Sequence, residues 1–154
     1  MARMPHATAL KTAGPLPLTR ATLVRFPCMQ AEARRIVPME AATGVPFDVR
    51  RVFTIRATRA GLIGGRHAHR RCHQLIVATE GACEVVVIGD HAGDRAEWLL
   101  DSPEVGLWIP PSLWGEQRYL TNPVGLMVLC DRPYEADDYI RDYETYIRYR
   151  SGAE

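Results

Sequence analysis

The sequence predicts an all-β barrel or sandwich closed by one short C-terminal helix. Two observations carry that expectation. From Ala21 onward, short segments rich in β-branched and apolar residues recur between turn signals, and only the last stretch of chain shows helical spacing. The clearest strand segments are Arg51–Ile55, Gln74–Thr79, Cys83–Ile88, Glu97–Leu100, Gly106–Ile109 and Gly125–Cys130. The separators Gly64-Gly65, Glu80-Gly81, Gly89-Asp90, Asp101-Ser102-Pro103, Pro110-Pro111 and Asn122-Pro123 carry turn chemistry. Strands at this spacing with no helices between them point away from a βαβ sheet.

The end of the chain changes period. Across Tyr134–Arg150, the residues Tyr139, Ile140, Tyr143, Tyr146 and Ile147 fall at helical spacing. Glu135, Asp137 and Asp138 stand in the first turn, and Arg148 and Arg150 in the last, as the helix dipole favours. The Tyr stripe is expected to pack on the barrel or on a partner subunit. Residues 1–20 are aperiodic and rich in Pro, Ala and Thr, so they read as a disordered tail, leaving residues 21–150 as a single domain.

Composition excludes several function classes. With 154 residues, 47% hydrophobic and 24% charged, the chain is long enough to bury one proper core. A net charge of +1, no basic stripe and no helix-turn-helix pattern argue against nucleic acid or an anionic membrane as partner. No apolar run approaches a membrane span and the N-terminus has no hydrophobic h-region, so a cytoplasmic protein is expected. Cys28, Cys72, Cys83 and Cys130 are scattered without a CxxC pair, which speaks against a disulfide scaffold or a zinc knuckle. Of the 19 basic residues all but Lys11 are Arg, and Arg forks suit phosphate; genomic codon bias accounts for the same count.

The chemistry concentrates in Gly61–Gly81, GLIGGRHAHRRCHQLIVATEG. Residues two apart on a strand share a face, so His67 and His69 are expected to point together into the barrel. The spacing Gly, His67-x-His69, Gln74, Gly81 matches the first motif of the cupins, double-stranded β-helix jelly rolls, except that Gln74 replaces the usual Glu. A neutral amide is a poor substitute for a carboxylate ligand. The second motif falls at Gly106–Gly115, and no His follows His91 to supply a further ligand. The pair is therefore read as uncoordinated imidazoles, with no metal and no cofactor. A three-His site of His67, His69 and His73 is the metal alternative; Gln74 facing the cavity would turn His73 outward. Imidazole titrates near neutrality and suits proton transfer beside a carbonyl.

At these residues the chain resembles the sugar 3,4-ketoisomerases, cupin enzymes acting on dTDP-4-keto-6-deoxyglucose. The likeness extends through Val45–Ile55 (VPFDVRRVFTI), His67–Val87, Leu100–Gln117 and Asp137–Tyr146, covering roughly Ala21 to Arg150. The resemblance implies a cofactor-independent tautomerisation with a dTDP-linked keto-deoxysugar as partner. The 4-keto sugar loses its C3 proton, and the enediol is reprotonated at C4. His67 and His69 carry over as catalytic residues, and a homodimer is implied. Gln74, Arg34, Arg51, Arg118 and Trp114 are the candidates for substrate binding, the Arg residues for pyrophosphate and Trp114 for the base. Three positions depart from the family pattern: Gly64 where an Arg is common, Thr54 in a strand that often supplies a Tyr, and Gly115 where some members carry His. The competing expectations are a sugar-nucleotide 3,5-epimerase, a metal-dependent isomerase or dioxygenase, and a non-catalytic sugar-nucleotide-binding cupin. Epimerases commonly pair a His with an Asp, and no Asp in the barrel strands offers itself.

Overall fold

The computed structural model describes residues 20–41, 43–89 and 94–153; the expected tail lies, apart from Arg20, outside the described residues. The chain runs β1 (Thr22–Arg25), β2 (Met29–Ala31), β3 (Arg34–Ile36), β4 (Arg51–Ala57), β5 (Ile63–His69), β6 (Gln74–Glu80), β7 (Cys83–Ile88), β8 (Arg95–Leu100), β9 (Val105–Ile109), β10 (Trp114–Tyr119), β11 (Val124–Cys130), β12 (Tyr139–Ile140) and α1 (Tyr143–Ser151). Two antiparallel five-stranded sheets, ordered β1-β9-β6-β11-β4 and β12-β5-β10-β7-β8, face one another, and β2-β3 forms a separate hairpin. This is the jelly-roll architecture of the cupins, as the strand spacing predicts.

Ile76, Val85, Val87, Leu107, Leu126 and Val128 fill the space between the sheets. The strand β6 reads as a continuous apolar run rather than an alternating one, because its outer face is covered too. There Leu75, Val77 and Leu129 lie under Phe26 and Val45, from the chain flanking β1 and preceding β4. On the other sheet Ala68 and Trp114 pack against Ile140 and Tyr146. The Tyr146 hydroxyl donates to the carbonyl oxygens of Ile88 (3.1 Å) and Ser112 (3.2 Å), fastening α1 to the barrel. Tyr146 therefore packs on the barrel, as expected of the stripe.

The helix itself is shorter than its periodicity predicts. Only Tyr143–Ser151 is α-helical; Ala136–Asp138 is a 3₁₀ turn, and Tyr139–Ile140 pair in register with His69 and Ala68. Two local causes set this boundary. The Asp142 side chain accepts from the Thr145 amide at 2.8 Å and starts the helix there. The edge of β5 offers unpaired backbone groups that Tyr139 and Ile140 satisfy. Gly64-Gly65 also differ from expectation: they lie inside β5 rather than in a turn. Gly65 (φ 73°) and Arg66 (φ 53°) form a bulge, where the register against β10 shifts between Gly115 and Glu116.

Candidate functional site

The bulge sits immediately before the two histidines, so it fixes which way the end of β5 faces. His67 and His69 project together into the barrel, with Nε2 atoms 3.2 Å apart and rings crossed at 83°. Ala68 between them points outward under α1. A cavity between the sheets is lined by His67, His69, Cys72, Gln74, Leu113 and Gln117, among others.

His69 is only 5% exposed and its Nδ1 lies 2.7 Å from Oδ2 of Asp138, itself 2% exposed. The other carboxylate oxygen, Oδ1, accepts from the Arg71 backbone N–H at 2.7 Å. Both oxygens of Asp138 are thus committed as acceptors. An ionised carboxylate cannot donate, so the proton of this bond belongs to His69 Nδ1. His69 Nε2 is then the bare nitrogen, and the proton shared between the imidazoles rests on His67 Nε2. The network assigns a directed chain: His67 to His69 to Asp138.

Burial sets the charge state of the three groups. It is the largest influence on His67, lowering its pKa below the ordinary 6.5; the Gly65 carbonyl pulls the other way. Burial also lowers His69, to about 4, against the opposing effect of the hydrogen bond it donates to Asp138. Burial alone would raise Asp138, yet the bonds from His69 and the Arg71 amide hold it below the usual carboxylate range. At neutral pH the arrangement is therefore two neutral imidazoles beside one carboxylate.

This predicts a pH window for stability. Above about 6.5 neither the folded nor the unfolded state protonates the two histidines; below it the unfolded chain binds protons that the folded chain resists, at His67 to a lower pH than usual and at His69 until about 4. Stability should fall as pH drops through that interval, and Asp138, whose ordinary pKa is 3.8, contributes its own loss only lower. Thermal melts across the interval should show the slope, and His69→Asn should flatten it. A parent protein whose Tm does not change there would refute the assignment.

Tyr139 completes the surroundings; the sequence reading placed both it and Asp138 in the helix and not in the site. The Tyr139 ring lies 4.3 Å from His69 and 5.2 Å from His67, centroid to centroid. Its hydroxyl accepts from Arg51 Nη2 at 3.2 Å. Tyr139 thus brings a phenol to the pair from β12, in a barrel whose β4 has Thr54 where the family pattern has Tyr. The signal for Asp138 and Tyr139 lay in the block Asp137–Tyr146, but its helical period read both as helix residues.

The expected binding residues separate into two groups. Gln74 is buried and lines the cavity, and Arg51 stands beside the histidines through Tyr139. Trp114 corrects the expectation of a base-stacking residue: it is buried outside the barrel, against Tyr143 and Tyr146. Along β10 it is Gly115, Glu116 and Gln117 that line the cavity, while Trp114 packs under α1. Arg118 also faces outward, paired to Glu84 at 2.6 Å. Arg34 is exposed on the β2-β3 hairpin, which belongs to neither barrel sheet. His73 does not join the other histidines; its Nδ1 accepts from Trp108 Nε1 at 3.1 Å, so the three-His site is not assembled. His69, Cys72 and Asp138 each bring a ligand-type atom within 4.8 Å of one another. The His69 nitrogen facing Asp138 already spends its proton on that carboxylate.

The Gly64 departure has a steric cause. A Cβ at Gly64 would collide with the Tyr119 hydroxyl, which donates to Gln117 Oε1 at 3.2 Å. Tyr119 thus occupies the space that a side chain at position 64 would need. Gly64→Ala should destabilise by about 1–3 kcal/mol through overpacking. Combining it with Tyr119→Phe should recover part of that loss in denaturant melts. An equally stable single variant would sink the explanation.

A jelly-roll barrel with an interior pair of imidazoles, backed by a carboxylate, defines a cupin built for acid–base chemistry. The family described as WxcM-like, C-terminal (FdtA) matches residues 19–151, and the chain belongs to it. Among curated relatives, the TDP-4-oxo-6-deoxy-alpha-D-glucose-3,4-oxoisomerase of Aneurinibacillus thermoaerophilus is 34% identical over 114 residues, covering 74% of this chain and 81% of the relative. The sugar 3,4-ketoisomerase QdtA of Thermoanaerobacterium thermosaccharolyticum, solved in complex with TDP, superposes with TM-score 0.82 at 28% identity, over 88% of this chain and 98% of that one. A 3,4-ketoisomerase from Helicobacter canadensis gives TM-score 0.80 at 27% identity, over 86% and 98% of the two chains.

Proposed function

We propose that this protein is a cofactor-independent isomerase that moves the keto group of a dTDP-4-keto-6-deoxyhexose from C4 to C3, in deoxysugar biosynthesis. The observation that carries the reading is the directed chain His67–His69–Asp138 at the cavity wall. The substrate class comes from the relatives, one of which was solved with TDP-4-keto-6-deoxyglucose bound.

The C4 carbonyl acidifies the C3 proton, so a neutral imidazole at neutral pH can remove it. The imidazole pair, with His67 lining the cavity, takes the proton, and the C3–H electron pair forms the C3=C4 bond of the enediol while the carbonyl pair passes to the C4 oxygen. The charge gained is shared across the Nε2–Nε2 contact with His69, whose imidazolium form faces Asp138. The imidazolium exchanges its proton with solvent and delivers one to C4, while the C3 hydroxyl proton passes to the C4 oxygen, giving the 3-keto sugar. Arg51 and Gln74 are assigned to the substrate, Arg51 as a fixed cation for a phosphate oxygen and Gln74 as a cavity amide. Positioned acid–base groups contribute roughly 10²–10⁴-fold each.

Incubation with dTDP-4-keto-6-deoxyglucose in deuterated buffer tests this. Deuterium at C4 of a 3-keto product is the expected result. No exchange by folded protein that binds the nucleotide would leave the non-catalytic binding reading. The His69–Asp138 pair favours one second reading, the 3,5-epimerase, because it supplies the Asp partner missing from the strands. Label at C5 instead of C4 would establish it. We also infer a homodimer: Met29, Ile36 and Val52 are exposed, and β4 is an open sheet edge. Light scattering at working concentration should return twice the chain mass.

A further inference from the structure

Arg51 is oriented beside the histidines without a carboxylate. Its Nη2 donates to the Tyr139 hydroxyl at 3.2 Å and to Cys130 Sγ at 3.4 Å. Its Cζ lies 5.3 Å from the Phe53 ring centroid and 5.6 Å from that of Tyr134. Among the described residues no acid forms an ion pair with it, whereas Arg71, Arg118 and Arg132 each meet one. Its Nε is also buried with no hydrogen-bond partner among them. A cation fixed by a phenol, a sulfur and aromatic faces keeps its charge for an anionic ligand. Tyr139 connects that cation to the acid–base pair. Its register partner across β12 and β5 is His69, so the ladder sets its ring beside the imidazoles, 4.3 Å from His69 and 5.2 Å from His67 between centroids. The residue before it, Asp138, is bonded to His69, and Arg141 lies 4.2 Å from the Tyr139 ring centroid. The ring is therefore held in place over the histidines.

We infer that Tyr139 is a positioning residue with two separable parts, an assignment that rests on the ketoisomerase reading and deepens it. Its hydroxyl aims Arg51 at the substrate pyrophosphate, and its ring holds the two imidazoles in the crossed arrangement that proton transfer uses. The parts separate because they act through different atoms. The phenol oxygen takes one N–H of the Arg51 fork and leaves others for phosphate oxygens. The phosphate is remote from the reacting carbons, so this hold serves ground state and transition state alike and shows in KM. The ring touches only the imidazoles, whose Nε2 atoms meet at 3.2 Å. Without that wall the rings can turn away from C3 and C4, and a small misplacement of reacting groups shows in kcat.

The test uses the full chain, with TDP affinity from calorimetry and steady-state rates on dTDP-4-keto-6-deoxyglucose. Tyr139→Phe keeps the ring and loses the hydroxyl. Its Kd for TDP and its KM should each rise about 3–10-fold, with kcat within about twofold of the parent. Tyr139→Leu loses both parts, so the same rise in Kd should come with a kcat lower by about 10–100-fold. Tyr139→Met, unbranched and without an aromatic face, takes its place if the leucine variant does not fold. An unchanged Kd for TDP in Tyr139→Phe would overturn the hydroxyl's part. Equal kcat losses in the phenylalanine and leucine variants, or a parent-like kcat in the latter, would overturn the ring's part. A lower Tm in both variants with unchanged kcat and KM would reduce Tyr139 to a packing residue and overturn both. Failure of the isomerase reading appears in the parent instead. A parent that binds TDP but does not turn over the keto sugar defeats that reading and the ring's part with it, while the ratio of Kd values still decides the hydroxyl's. A parent that does not bind TDP defeats all three.

Discussion

His67→Asn is expected to lower kcat for the ketoisomerisation by roughly 10²–10⁴-fold while leaving KM close to its parent value. The asparagine keeps a polar group in the cavity but has no nitrogen able to take up the C3 proton. His69→Asn should cost a similar amount, because it breaks the route by which charge reaches Asp138. The two imidazoles touch at 3.2 Å, so their losses should be far from additive. A double variant little worse than either single one is the signature of groups acting as a unit. The measurement is the rate of deuterium entry at C4, with Tm confirming that each variant is folded. A His67→Asn protein within about tenfold of the parent kcat would show that another group removes the proton.

Much of this site is legible in the residues of one strand. Period-two spacing places His67 and His69 on one face, and both line the cavity beside Gln74. What the sequence hides comes from competition between periods. Tyr139, Ile140, Tyr143, Tyr146 and Ile147 satisfy a helical pattern, but the pattern cannot show that the free edge of β5 captures Tyr139 and Ile140 first. That capture turns Asp138 toward His69 and lays Tyr139 over both rings. The search for an Asp among the barrel strands therefore looked in the wrong element. The misplaced binding residues fail for a simpler reason. Trp114 and Arg118 share a strand with the cavity residue Gln117, and at single-residue resolution a parity of one separates cavity from surface. The bulge at Gly65 and Arg66 shifts that parity again, and two adjacent glycines signal a turn as well as a bulge.

Asp138→Asn carries the second large effect, and it follows from counting acceptors. Both carboxylate oxygens of Asp138 accept at 2.7 Å, one from His69 Nδ1 and one from the Arg71 amide. Asparagine offers one acceptor and one donor. If its oxygen serves Arg71, its NH₂ faces His69 and forces the ring into the opposite tautomer, with the proton on Nε2. His69 would then donate to His67 instead of accepting from it, and the direction of the chain reverses. If its oxygen serves His69, the Arg71 N–H is left facing a donor, at a cost of about 1–3 kcal/mol. Either way the carboxylate that faces the imidazolium is lost. The expected result is a fall in kcat of roughly 10²–10⁴-fold with KM nearly unchanged and a modestly lower Tm. A merely structural role would lower Tm without touching the ring nitrogens, so the deciding readout is ¹⁵N NMR of the imidazoles. The parent should show His69 protonated at Nδ1, and the variant should show the proton moved to Nε2 or the Arg71 amide released. Unchanged tautomers together with unchanged kcat would mean that Asp138 only anchors the segment ahead of α1.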